Sequence, residues 1–78
     1  MLPRVKAVVP DKNYGLILTF SNNEKRRFSV KPYLKIGVFT RLKDLAVFNA
    51  VRPFQGSIQW PDGQDFCPDM LYEESIPI

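Results

Sequence analysis

The chain has 78 residues, 11 Lys/Arg against 8 Asp/Glu, a net charge of +3, one cysteine and no histidine. That length predicts one domain, 1–78, near the size at which a single core only just outweighs chain entropy, and the lone Cys67 excludes an internal disulfide. Without histidine the usual general base near neutral pH and the commonest metal ligand are missing, so neither an enzyme nor a cofactor is expected.

Along the chain, RVKAVVP alternates, with Val5, Ala7 and Val9 on one side and Arg4, Lys6 and Val8 on the other, the period of a half-buried strand. Pro10 ends it. YGLILTF places Leu16, Leu18 and Phe20 on one face and Ile17 and Thr19 on the opposite one. EKRRFSVK then sets Arg26, Phe28 and Val30 against Lys25, Arg27, Ser29 and Lys31. For the two apolar faces to coincide, the loop between these strands must hold an odd number of residues, because a slip of one turns every side chain over. A three-residue loop, 21–23, satisfies this and requires Asn23 to take a positive φ.

KPYLKIGVF reads as a connector broken by Pro32 and Gly37. In RLKDLAVFNAV, Leu42, Leu45 and Phe48 recur every three residues and Asp44 suits an N-cap, which predicts one short helix covering the sheet. VRPFQGSIQW returns to extended chain, with Gly56 at a tight turn and Ile58 and Trp60 pointing the same way. Pro61, Asp62 and Gly63 fit a hairpin turn closed by a left-handed residue. Residues 68–74 form a last helical turn, Pro68 being favourable at its first position and Asp69 at the positive end of the dipole. The terminal SIPI is expected to fray. The predicted architecture is a small α+β domain with a mostly antiparallel sheet of four to five strands, one short helix and a C-terminal helical turn.

The apolar runs are too short to span a bilayer, and the start lacks the pattern of a secretory leader. A cytoplasmic protein without membrane attachment is expected, in keeping with a single free cysteine. Cys67 itself is expected to be a small, half-buried apolar residue.

The charge is divided unevenly, +8 over residues 1–43 and −5 over residues 44–78. Such a split is either cancelled inside the fold or leaves a basic surface for phosphates or an acidic protein. Strand alternation puts Lys25, Arg27 and Lys31 on one face, and Arg4 and Lys6 join them if the first strand lies alongside. These five are the candidate partner-binding residues. They could track a nucleic acid backbone, although Phe28 faces inward by parity and no exposed ring for base stacking or recognition helix is evident. A solvated, charged sheet face that discourages edge association explains them equally in structural terms.

The second candidate is the corner WPDGQDF. Each of its residues has a folding reason, Trp60 as core area and Asp65 as an acceptor for backbone N–H groups. A cation site from Asp62, Asp65, Asp69 and Glu73 matches no calcium-loop spacing. A nucleophilic Cys67 lacks a histidine to activate it.

Over nearly its whole length, through LILTFSNNEKRRFSV, VFTRLKDLAVFNAV and GSIQWPDGQDFCPDMLY, the chain resembles the bacterial domain of unknown function 2442 family. The signature W-x-x-G-x-D followed by P-x-x-L-Y is filled by Trp60, Gly63, Asp65, Pro68, Leu71 and Tyr72. Two departures stand out: Asn22-Asn23 replaces the common Asp-Gly of the hairpin turn, and Ser29 replaces an acidic residue. The resemblance implies an α+β fold and assigns no catalytic residue. Members look like small accessory proteins, sometimes fused to a helix-turn-helix domain and often encoded beside another short protein in the manner of toxin–antitoxin pairs. This chain stops before such a domain, so DNA binding by that route is not expected. A non-catalytic protein-interaction module is therefore expected, with a protein partner encoded nearby, nucleic acid as the second reading, and a homodimer compatible with small size and exposed edges.

Overall fold

The structure, a computed structural model, describes residues 2–78. Its frame is an antiparallel meander of β1 (Val5–Asp11), β2 (Gly15–Phe20) and β3 (Lys25–Ser29). The β2–β3 connection is the three-residue loop demanded by parity. Phe20 N–H donates to Glu24 O at 2.9 Å, Asn23 N–H donates to Phe20 O at 2.8 Å, and Asn23 has φ 70°. Leu16 therefore faces Phe28 and Leu18 faces Arg26, so the inner face carries Leu16, Leu18, Phe20 and Phe28, all buried.

β1 departs from simple alternation. Val5 is paired with Phe20 but Ala7 with Thr19, so Lys6 is an extra residue, a β-bulge. One inserted residue turns the rest of the strand over. Val8, not Ala7 or Val9, consequently meets Leu18 and packs on the core, while Val9 is 59% exposed on the outer face. The expectation that Val5, Ala7 and Val9 share a side fails beyond Lys6 for this reason.

After β3 the connector forms 3₁₀ turns, Lys31–Tyr33 and Gly37–Lys43, and then α1 (Leu45–Phe48). Asp44 caps α1 as its sequence position suggests, accepting Ala46 N–H at 2.9 Å. The helix is shorter than the three-residue repeat implies because it holds only Leu45 and Phe48, while Leu42 belongs to the preceding 3₁₀ segment, in which side chains three apart eclipse. Leu42 and Phe48 are buried, but Leu45 points outward at 57% exposure. β4 (Arg52–Phe54) and β5 (Ser57–Gln59) make a second, two-stranded sheet. Its turn has positive φ at both Gln55 (48°) and Gly56 (80°), as a tight two-residue hairpin needs.

The corner at Trp60 repeats the β2–β3 solution. Gly63 N–H donates to Trp60 O at 2.9 Å, Trp60 N–H donates to Gln64 O at 3.0 Å, and Gly63 has φ 97°. The chain then enters α2 (Pro68–Glu74), which has the predicted bounds and starts on proline. Residues beyond α2 do not fray. β6 (Ile76–Pro77) pairs with β3, Arg27 opposite Ile76, and completes a four-stranded sheet of order β1-β2-β3-β6. Fully buried Trp60, Ile58 and Leu71 lie with Phe20, Leu42 and Phe48 in one core against the inner sheet face.

Candidate interaction surface

Of the signature residues, Trp60, Leu71 and Tyr72 pack on that inner side, whereas Gly63 and Asp65 are exposed. Trp60 is buried and its indole N–H donates to Phe48 O at 2.9 Å, tying the corner to α1. Leu71 is fully buried, and Tyr72 stands edge-on to Phe20 with centroids 5.0 Å apart. Tyr72 OH donates to Glu24 at 2.6 Å, and Arg26 lies over the Tyr72 ring at 4.6 Å. The Arg26 guanidinium also donates to Ser75 Oγ (2.8 Å), Ser75 O (2.7 Å) and Glu24 (3.2 Å). Arg26 thus holds the C-terminal end of α2, where unpaired carbonyls favour a cation. The Tyr72 hydroxyl, with Asn22 and Arg26, keeps the Glu24 carboxyl below its ordinary range, and the same Glu24 raises Tyr72.

Asp65 does not serve as the predicted N–H acceptor. It is exposed, bridges Gln59 only through the backbone, and its carboxylate accepts no hydrogen bond among the described residues. The buried polar residue here is its neighbour Gln64, whose amide donates to Val38 O at 3.0 Å and whose Oε1 has no partner. Cys67 is exposed rather than half-buried because its side chain flanks the start of α2 outside the core. Asp62 is bound to Arg41 at 3.0 Å and Asp69 to Arg4 at 3.3 Å. Among the described residues no three His, Cys, Asp or Glu side chains converge as a metal site would.

The five candidate cations do not form one cluster. Arg4 leaves the group: it lies alongside Gly56 and turns to Asp69 on α2. Lys6 sits on the bulge and reaches Asn23 Oδ1 in the β2–β3 loop. Lys25 and Arg27 do share the outer face, and Lys31 lies just past β3. Arg27 is not free. It donates to Asp11 at 3.2 Å and to Lys12 O at 2.8 Å. The Asp11 carboxyl is held low, first by the backbone N–H of Lys12 and then by Arg27. Two ion pairs, Arg4–Asp69 and Arg41–Asp62, cancel a small part of the charge split across the two halves.

What distinguishes the outer face is apolar. Val9, Ile17, Arg27 and Ile76 stand in one row across the four strands. A second row holds Ala7, Thr19 and Lys25, with Ile78, whose N–H donates to Lys25 O at 3.2 Å. Ile76 and Ile78 are each 69% exposed, and no element of the chain covers them. Sequence alternation missed this surface because the bulge moved Val9 onto it and the pairing of β6 added the two isoleucines.

Both sheet edges are partly blocked. Because Ile78 N–H points to β3, strand alternation turns Pro77 outward, and proline has no N–H to offer a further strand. On β1, Val5 N–H is taken by Gly56 O at 2.9 Å. Beside β6 the sheet opens into a groove of about 290 Å³ lined by Arg27, Ser29, Pro32, Tyr33, Glu74 and Ile76, with Phe28 and Ile78. Tyr33 OH donates to Glu74 at 3.1 Å, and burial together with Glu74 raises the Tyr33 hydroxyl.

The fold and its surface define a small α+β domain whose sheet has one covered face and one bare one. The chain belongs to the family described as Protein of unknown function (DUF2442), whose model matches residues 5–77. No curated protein matches the chain. No solved structure matches it either. No helix among the described residues is long and apolar enough to cross a membrane.

Proposed function

We propose that the chain is a non-catalytic protein-interaction module, the antitoxin-like or regulatory member of a two-protein pair encoded together, and that it docks its partner on the outer sheet face. The observation that carries this reading is the bare face itself: Val9, Ile76 and Ile78 are the large apolar side chains that a sheet normally covers, and here they are exposed. Apolar groups gathered on one surface mark interaction sites more reliably than scattered ones. Pro77 and the Val5–Gly56 hydrogen bond each block part of a sheet edge, which favours the face over an added strand.

A photo-crosslinking residue placed at Val9 or Ile78, with Leu45 as the control position, tests the reading in the source cell. One protein captured at stoichiometric yield from both face positions and absent from the control supports it. Capture of nucleic acid instead supports the second reading, an accessory protein that tracks phosphates with Lys25, Lys31 and Lys35, none of which is ion-paired in the structure. The rings nearest those lysines argue for protein: Phe28 is buried and Tyr33 is packed against the core, so neither is free to stack on a base.

A further inference from the structure

We infer that the groove beside β6 is the anchor point of this docking surface and takes an acidic protein segment carrying one large apolar side chain. The inference rests on the interaction-module reading and adds the chemistry of the partner.

The groove exists because β6 is only two residues long. β3 continues through Phe28 and Ser29 past the point where the chain leaves α2 to begin β6, so one end of β3 has no neighbour. Val30 N–H donates across to Tyr14 O on the β2 side, so alternation points the backbone of Ser29 into this gap. The walls are apolar, from Pro32 and Tyr33 on one side and Ile76 on the other. At about 290 Å³ the space lies at the low end of the ~300–1,000 Å³ typical of small-molecule sites, a size suited to one side chain rather than a cofactor. Interfaces are commonly centred on such a filled pocket, with charges at the rim.

The rim sets the sign of the partner. Arg27 is paired with Asp11, whereas Glu74 keeps its charge, because the Tyr33 hydroxyl that binds it is neutral. Cations outnumber it: Lys25 on the outer face, and Lys31 and Lys35, which line an adjoining hollow with Ser29 and Pro32. A second copy of the chain would bring more like charge to this rim if it docked face to face. A polyanion would satisfy the lysines but leave Ile76 and the groove wall unused. A protein segment bearing Asp or Glu beside a Leu, Ile, Phe or Trp satisfies both.

The full chain, immobilised, is panned against a display library of random linear peptides, and enriched peptides are titrated against the wild type and three variants. The expected consensus is one large apolar residue flanked by acids, with amide shifts centred on Arg27, Ser29 and Ile76. Ile76→Asp, and separately Lys25→Glu with Lys31→Glu, each weaken binding by about tenfold or more, while Leu45→Asp, at an exposed position of α1 that lines no part of the groove, leaves it unchanged. Melting curves of the variants exclude unfolding, since all four positions are exposed. Binding on the outer face that is insensitive to the lysine reversal, or a neutral or basic consensus, overturns the inference and leaves the interaction-module reading standing. No enriched peptide, tight self-association through the groove, or single-stranded nucleic acid binding lost on Lys31→Glu overturns it as well, and the last of these removes the parent reading too.

Discussion

The guanidinium of Arg27 lies in the space above Gly15, so close that a Cβ on Gly15 would overlap Cζ and Nη2. Gly15 and Ser29 are neighbours in register, and Arg27 reaches along β2 over the bare glycine to Asp11 and the Lys12 carbonyl. The glycine is therefore the floor of an ion pair, and it decides where the strongest cation of the outer face spends its charge.

Gly15→Ala is expected to push Arg27 off Asp11. The obstruction is the far end of a flexible side chain, so stability should stay within about 0.5 kcal/mol, while the Asp11 carboxyl pKa, followed by NMR titration, moves up toward its ordinary value. An unmoved Asp11 would show that the Lys12 backbone hydrogen bond alone holds it.

Asn23 and Gly63 occupy equivalent left-handed positions in two three-residue loops. Asn23→Ala should cost about 1–2 kcal/mol, the penalty of that conformation for a residue with a Cβ and no local hydrogen bond, whereas Asn23→Gly should be neutral within about 0.5 kcal/mol. Urea denaturation separates the two; equal losses would point to the Lys6–Asn23 contact as the cause instead.

Arg26→Met removes the group that joins Glu24, Tyr72 and Ser75. A loss of about 2 kcal/mol is expected for hydrogen bonds made by a charged donor, with a local signature. The Ile78 amide, bonded to Lys25 O next to this clamp, should lose hydrogen-exchange protection before the β2–β3 amides do. Uniform loss across the sheet would mean that α2 and β6 do not open separately.

Acid should weaken the fold. Asp11 and Glu24 both have carboxyls held below their unfolded values, so their contribution is complete above about pH 5 and is lost as the pH falls through the lower folded values. Thermal melts from pH 6 downward should show a falling Tm that steepens below about pH 4. In Glu24→Gln the acid slope should be shallower.

Trp60→Phe keeps most of the buried area but removes the shorter of two hydrogen bonds to the Phe48 carbonyl, leaving only Val51 N–H at 3.4 Å. Loss of one such bond costs about 1 kcal/mol, a sizeable share of the stability of so small a domain. A melt unchanged by the substitution would mean that the Val51 N–H satisfies the carbonyl alone.

Elements whose signals are local were legible in the sequence. The β2–β3 loop followed from parity and Asn23, the Asp44 cap from its position, and α2 from Pro68 and the acid after it. Three features were not, because each depends on contacts distant in the chain. The bulge at Lys6 has no residue signature, since any residue can be the inserted one. β6 is two residues long and exists only because β3 has a free side. The groove is the remainder left when β6 stops, so it is visible only once both are placed. Of the five candidate cations, the alternation correctly grouped Lys25 with Arg27 and put Arg26 on the opposite face, but nothing along the chain indicated that Arg4 would meet Asp69.

The late arrival of β6 also orders the folding reaction. β1, β2 and β3 close through short loops and can assemble as soon as they leave the ribosome, whereas the fourth strand pairs residue 27 with residue 76 and must wait for almost the whole chain. Contacts so far apart raise the contact order and slow the final step. During synthesis the nascent meander displays its apolar inner side with no α2 to cover it, so the interval between β3 and β6 is when the young chain most needs protection from its neighbours.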